Sequence, residues 1–161
     1  MGTIFPALFG ALTIVVVWKA VRLLGGRWMA LLLAATCLLL SSLLRLNLLF
    51  QPNSPDVLCW TTLYFFVICY CRQPATKFLY AAAVCFAAGF LNKYNIVFAV
   101  AGLLPALLLT PHRKLFAQKA LYGSMALALV LIMPNLLWQY HQGFPVVHHM
   151  KLLADTQLVD I

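Results

Sequence analysis

Glutamate is absent from this chain, and acid of any kind is scarce: Asp56, Asp155 and Asp160 are the three acidic residues. Charged residues make up 9% of the sequence, where a soluble domain carries about 25%. That scarcity excludes an ordinary water-soluble globular domain. Metal-ligand spacing is missing as well. There is no Cys-x-x-C pair, and Cys69-x-Cys71 is not a zinc spacing. The five cysteines, Cys37, Cys59, Cys69, Cys71 and Cys85, lie within or at the ends of apolar runs and read as small packing residues. Adjacent His148 and His149 lack the i,i+4 spacing of a helical metal pair and read as loop residues. No metal site is expected. No phosphate-binding P-loop, G-x-S-x-G or dinucleotide fingerprint occurs. Met1 is followed by no basic stretch, so no signal peptide is read. Pro6 stands where a myristoylation signal needs Ser or Thr.

What remains is apolar. Hydrophobic residues make up 65% of the 161, and mean hydropathy is +0.97. Six apolar segments follow one another. The first runs from about Ile4 to Leu24 and stops at Gly25-Gly26, a helix C-terminal signal. The second runs from about Trp28 to Leu46. The third opens on Ser54-Pro55-Asp56, read as N-cap, N1 proline and first-turn acid, and ends near Tyr70. The fourth spans Lys77 to Leu91, the fifth Ile96 to Leu109. The sixth runs from about Phe116 to Trp138, with a kink expected at Pro134. The expected fold is an all-α, polytopic membrane bundle of about six transmembrane or re-entrant helices. It occupies residues 1–139, and residues 140–161 read as the truncated start of an outer-face loop or domain.

The formal net charge is +8, which could suggest a nucleic-acid partner. The placement of the bases argues against one, because they sit in the connections between apolar segments. Lys19, Arg22, Arg27, Arg72, Lys77, Arg113, Lys114 and Lys119 share one face. They are eight of the eleven basic residues. The positive-inside rule makes that face cytoplasmic. Arg45, Lys93, Lys151 and all three aspartates fall on the other. The N-terminus then lies outside too, which implies that at least one upstream span is missing.

Lys93 is the residue of greatest interest. It sits in Asn92-Lys93-Tyr94-Asn95, between the fourth and fifth segments. A helix needs about 20 residues to cross a hydrocarbon core of about 30 Å, and neither flanking run reaches that. The lysine is expected at or just below the membrane surface, where an ionisable group is costly. Two readings stay open on spacing alone: a side chain snorkelling to the headgroups, or a cation for a lipid-borne phosphate. Asp56 likewise reads as a first-turn acid favoured by the helix dipole or as an active-site acid. Arg45 reads as an interfacial anchor or a phosphate contact. Trp60, Tyr64, Phe65 and Phe66 read as packing or lipid-facing side chains.

The stretches Phe50-Gln-Pro-Asn-Ser-Pro-Asp56, Gly89-Phe-Leu-Asn-Lys93-Tyr and Pro134-Asn-Leu-Leu-Trp-Gln-Tyr-His-Gln-Gly-Phe-Pro145 carry a resemblance. With Pro6 to Thr13 and Gly25-Gly26-Arg27, they occur in an order and spacing that resemble the glycosyltransferase 39 family. These are dolichyl-phosphate-mannose-protein mannosyltransferase-like enzymes of the GT-C fold, including the bacterial aminoarabinose transferases of lipid A. The resemblance covers essentially the whole chain. It implies an integral-membrane transferase that moves a sugar from a polyprenyl-phosphate donor to a lipid or protein acceptor at the outer face. The setting it implies is a bacterial inner membrane with a periplasmic or extracellular active site.

The resemblance also assigns residues. Lys93 matches the family lysine near the donor phosphate. Asp56 matches an acid at the outer start of a span, shaping the cavity. Asn53, Gln51 and Tyr94 are pocket-lining candidates by adjacency, and Arg45 joins them as a substrate-binding candidate. Asn135, Trp138 and Gln139 match a stretch without an assigned role. The family's catalytic aspartate lies in an Asp-Glu pair that this sequence lacks, so the resemblance is to an internal or truncated fragment, inactive alone. The implied reaction is an inverting displacement. A carboxylate deprotonates the acceptor, and Lys93 stabilises charge on the departing lipid phosphate. The donor is already activated, so no cofactor is expected. The partners are the bilayer, the lipid-linked sugar and its acceptor, and no nucleic acid. A transporter or lipid-carrier flippase subunit is the alternative, since broken helices with a charge at membrane depth occur there too; no internal repeat supports it. A small non-catalytic assembly protein is a third possibility if Met1 is the true start.

Overall fold

A computed structural model describes residues 4–41 and 51–157, and every element among them is helical. In chain order these are α1 (Ile4–Leu23), α2 (Trp28–Leu39), α3 (Asn53–Arg72), α4 (Thr76–Asn92) and α5 (Ile96–Leu108). A 3₁₀ turn (Pro111–Ala117), α6 (Lys119–His141) and α7 (Pro145–Gln157) follow. Helices α1, α3 and α6 are long and apolar enough to cross a membrane. Helix α5 and the 3₁₀ turn form a pair bent by 113° that could count as a fourth span. Helices α2 and α4 are apolar but shorter. The expected all-helical membrane bundle is therefore present, with three to four candidate spans where about six were read. Large apolar side chains such as Phe5, Leu33, Phe98 and Val130 stand exposed, as a lipid-facing surface requires.

Glycine ends two of the long helices. Gly25 has φ 89°, Gly26 N–H donates to the Val21 carbonyl at 2.8 Å, and Gly25 N–H to that of Arg22 at 3.0 Å. This is a Schellman stop. The same motif closes α6: Gly143 has φ 68°, and the Phe144 and Gly143 N–H groups donate to the Gln139 and Tyr140 carbonyls at 2.8 and 3.2 Å. Helix α2 stops at Leu39, short of the expected Leu46, whose position lies outside the described residues. Ser41 donates from its Oγ to the Leu38 carbonyl at 2.7 Å, a local bond that competes with helix continuation. Helix α3 begins at Asn53, slightly before the expected Ser54 cap, and keeps Asp56 in its first turn. Helix α6 starts at Lys119, leaving Phe116 in the 3₁₀ turn, and runs unbroken through Pro134.

Helix α4 lies between α3 and α6, and α1 packs on the other side of α3. Small residues permit this. Ala82, Ala83, Ala87 and Gly89 of α4 are all buried, and such residues let membrane helices approach closely. At Gly89 the fit is tightest. A Cβ there would overlap Ile96 Cδ1 and come within 3.0 Å of Cys59 Cβ. Ile96 is fully buried, and Leu63, Ala82 and Ala99 surround it in the core. On α6 the buried positions Ser124, Ala128 and Ile132 repeat every four residues, one face of a helix. Buried hydroxyls bond within their own helices: Thr13 to the Phe9 carbonyl at 2.8 Å and Ser124 to that of Leu121 at 2.7 Å.

These contacts set the relative directions of the helices. Tyr80, early in α4, meets Gly123, early in α6. Tyr94, just after α4, meets Gln139, late in α6. The two helices are therefore parallel. The late residues Leu23 of α1 and Cys69 of α3 line one cavity, so these helices are parallel too. Arg22, Arg72, Lys77 and Lys119 consequently gather at one end of the bundle. Asp56 and Lys93 lie at the other.

Candidate functional site

The site is a break in a helix. Lys93 ends α4 with an extended backbone (φ −158°, ψ 127°), while its N–H still reaches the Gly89 carbonyl at 2.7 Å. Helix α5 starts three residues later, at Ile96. The turn between them presents four polar side chains in succession, and each bonds another part of the bundle. Asn92 Nδ2 donates to the Pro52 carbonyl at 2.8 Å. Lys93 Nζ donates to Asn53 Oδ1 at 3.1 Å. Tyr94 Oη donates to Asn135 Oδ1 at 3.0 Å. Asn95 Nδ2 donates to Asp56 Oδ2 at 3.0 Å. Two further bonds extend the set: Asn53 Nδ2 to Gln51 Oε1 at 3.0 Å, and Gln139 Nε2 to Tyr94 Oη at 2.7 Å.

Three helices thus converge on one turn, and helical spacing explains how. Asn135 and Gln139 continue the α6 stripe of Ser124, Ala128 and Ile132 at steps of three and four. The face that packs on α4 therefore delivers both amides to Tyr94. On α3, Asp56 and Leu63 are two turns apart, so burial of Leu63 in the core carries Asp56 against Asn95. Gly89 lets α4 close on α3, one turn before Lys93.

Burial and charge divide the cluster. Asp56 and Gln139 are 7% and 6% exposed. Lys93 is exposed, and Asn53 and Tyr94 are half-buried. Among the described residues, four buried polar atoms have no partner: Asp56 Oδ1, Asn95 Oδ1, Gln139 Oε1 and Trp60 Nε1. A buried unsatisfied group costs about 1–3 kcal/mol, so each of the four calls for an explanation. Chemically the cluster offers three acceptor oxygens, one N–H donor and, at its rim, an ammonium with N–H groups beyond the one given to Asn53. Among the described residues no group of three or more His, Cys, Asp or Glu side chains could hold a metal.

Of the residues read from the sequence, Asp56, Lys93, Asn53, Gln51 and Tyr94 lie together, and Arg45 falls outside the described residues. Asn92, Asn95, Asn135 and Gln139 join them without having been read as site residues. Their signal was present: amides at the ends of otherwise apolar helices. Trp60, read as a packing or lipid-facing side chain, packs beside the core; its Nε1, one turn beyond Asp56, is buried without a partner among the described residues.

No curated protein and no solved structure matches the chain. The family model described as dolichyl-phosphate-mannose-protein mannosyltransferase matches residues 2–138. That span includes all of the turn, the start of α3 and Asn135. With apolar helices of membrane-crossing length, the match implies a glycosyltransferase of mannosyltransferase type held in a membrane: the chain belongs to the dolichyl-phosphate-mannose-protein mannosyltransferase family.

Proposed function

We propose that the cluster around Lys93 binds a polyprenyl-phosphate-linked sugar at the outer face of the membrane, for transfer to a lipid or protein acceptor. The observation that carries this reading is the position of Lys93. The helix break puts its ammonium beside Asn53, at the rim of a cluster whose buried acceptors lack partners. A donor of this class has a phosphate at headgroup depth, a lipid tail in the bilayer and a sugar rich in hydroxyls. The ammonium suits the phosphate as a compact charge with several donors. Asp56 Oδ1, Asn95 Oδ1 and Gln139 Oε1 suit sugar hydroxyls, and Trp60 Nε1 can donate to a sugar oxygen.

In the transfer step, negative charge grows on the bridging phosphate oxygen as the anomeric carbon leaves it. Lys93 is placed to stabilise that charge, an interaction stronger in the transition state than in the ground state. Asn53, held through its other end by Gln51, orients the ammonium. Asp56, held by Asn95 at one oxygen, keeps the other for a hydroxyl of sugar or acceptor. The donor is activated already, so no cofactor is assigned. In this reading residues 1–139 form the membrane bundle, and residues 140–161 open onto the outer face. The basic end of the bundle is cytoplasmic.

Binding of a polyprenyl phosphate to the purified protein tests the assignment without requiring turnover. A charge-assisted hydrogen bond contributes about 1.5–3 kcal/mol, so Lys93→Ala is expected to weaken binding about 10- to 150-fold. Lys93→Arg keeps the charge and should retain most of it. Equal affinity in wild type and Lys93→Ala would sink the reading.

A further inference from the structure

The basic end of the bundle carries a second, separate feature. An open groove runs between α1 and α3, lined by Val15, Trp18, Lys19, Arg22, Phe65 and Cys69 among others. Its composition is divided along its length. Val15, Trp18 and Phe65 supply an apolar wall. Lys19 and Arg22, one helical turn apart and exposed, supply two cations at one end of it.

Among the described residues those cations have no acidic neighbour. Asp56 sits in the first turn of α3, thirteen residues before Cys69 and so about 20 Å away along the helix. Nor are the cations fully explained by the helix ends. The Arg22 and Val21 carbonyls of α1 already accept from Gly25 and Gly26, and the Cys69 carbonyl accepts from Gln73 N–H at 2.8 Å. Trp18 is 47% exposed, and an exposed aromatic ring near the end of an apolar helix suits a bilayer interface.

We propose that this groove binds a membrane phospholipid with an anionic head group. The head-group phosphate lies between Lys19 and Arg22, with Arg22 engaging two oxygens and Lys19 acting as a point charge. An acyl chain lies along Val15, Trp18 and Phe65. Basic pockets between membrane helices have this chemistry in general. Here the occupant is a resident of the bilayer that clamps α1 to α3. The site shares no residue with the Lys93 cluster and stands whether or not that cluster binds a sugar donor.

The test is a titration of the purified chain in a neutral detergent. Phosphatidylglycerol and phosphatidylcholine of matched chain length are compared, with bound lipid counted by native mass spectrometry. Phosphatidylglycerol is expected to bind in preference. Two basic contacts, each contributing about a factor of five, predict that Lys19→Gln with Arg22→Gln weakens it about 30-fold. Arg113→Gln with Lys114→Gln removes the same charge from the same end and should change binding less than about twofold. The charge-conserving pair Lys19→Arg with Arg22→Lys should keep binding. If the double Gln variant fails to fold, Lys19→Gln alone is read, with a loss of about fivefold. Equal binding of the two lipids, retention in the Lys19/Arg22 Gln variant, or an equal loss in both Gln pairs overturns the proposal. So does inorganic phosphate binding as well as phosphatidylglycerol, which would leave the apolar wall without a role.

Discussion

The two ends of the bundle are built on opposite principles. At the Lys93 end, polar groups are tied across helices: the half-buried Tyr94 to α6 and Asn95 to α3, and the exposed Lys93 to Asn53. At the basic end, Arg22, Arg72, Arg113 and Lys114 are exposed. Among the described residues they make no ion pair with an acid. One end depends on geometry, because each amide needs a particular partner at hydrogen-bond distance. The other depends on charge alone, which acts at long range and tolerates imprecise placement. Burial explains the difference. A polar group taken out of water costs free energy unless paired, whereas an exposed arginine keeps its hydration.

The comparison is most easily broken at the level of topology, where the expected effect is all-or-none. With Cys37, Cys59, Cys69, Cys71 and Cys85 replaced by serine or alanine, single cysteines are introduced at Gln51 and Gln73, both exposed. A membrane-impermeant maleimide should label Gln51→Cys in intact cells and Gln73→Cys only after permeabilisation. Labelling the other way round would put the basic end outside and reverse the proposed faces.

A smaller effect tests whether the Lys93 end is held by specific pairs. Asn95→Ala removes the partner of Asp56 Oδ2, and Asp56 Oδ1 is already unpaired. Leaving a buried carboxylate without its donor is expected to lower stability by about 1–3 kcal/mol. Thermal unfolding in detergent reads this. A loss of under about 0.5 kcal/mol, the usual range for surface changes, would mean that Asp56 is solvated and the cluster open.

How much of this was legible beforehand depended on whether a feature is local. Gly25-Gly26 reads as a stop because a Schellman turn needs only neighbouring backbone, and it is one. Lys93 reads as a break because two short apolar runs flank it, and the chain does turn there. Asp56 in a first turn was equally local. The pairing of Asn95 with Asp56, 39 residues apart, was not legible, since it arises only when α4 folds back along α3. The same holds for Tyr94 and Gln139, brought together by the parallel packing of α4 and α6. Trp60 was read as a packing or lipid-facing side chain, and it does pack on the core; its unpaired Nε1 appears only once its surroundings are built. Pro134 was expected to kink α6. The proline lies inside a helix that runs on to His141, where it removes one N–H donor and favours a bend rather than a stop.

The smallest expected effect is at the basic end, and it is informative because it is small. Arg113→Gln and Lys114→Gln lie in the 3₁₀ turn, exposed, with no acidic partner among the described residues. Removing them breaks no pair and leaves no buried group unsatisfied, so stability in detergent should change by less than about 0.5 kcal/mol. Their effect should appear instead during insertion, because the orienting bias of lysine and arginine acts before the bundle packs. Adding Lys77→Gln to the pair should raise the fraction of molecules with Gln51→Cys facing inward, as read by the maleimide labelling, with the melting temperature nearly unchanged. A large loss of melting temperature with orientation intact would mean that these side chains hold the folded bundle together, and the contrast between the two ends would then disappear.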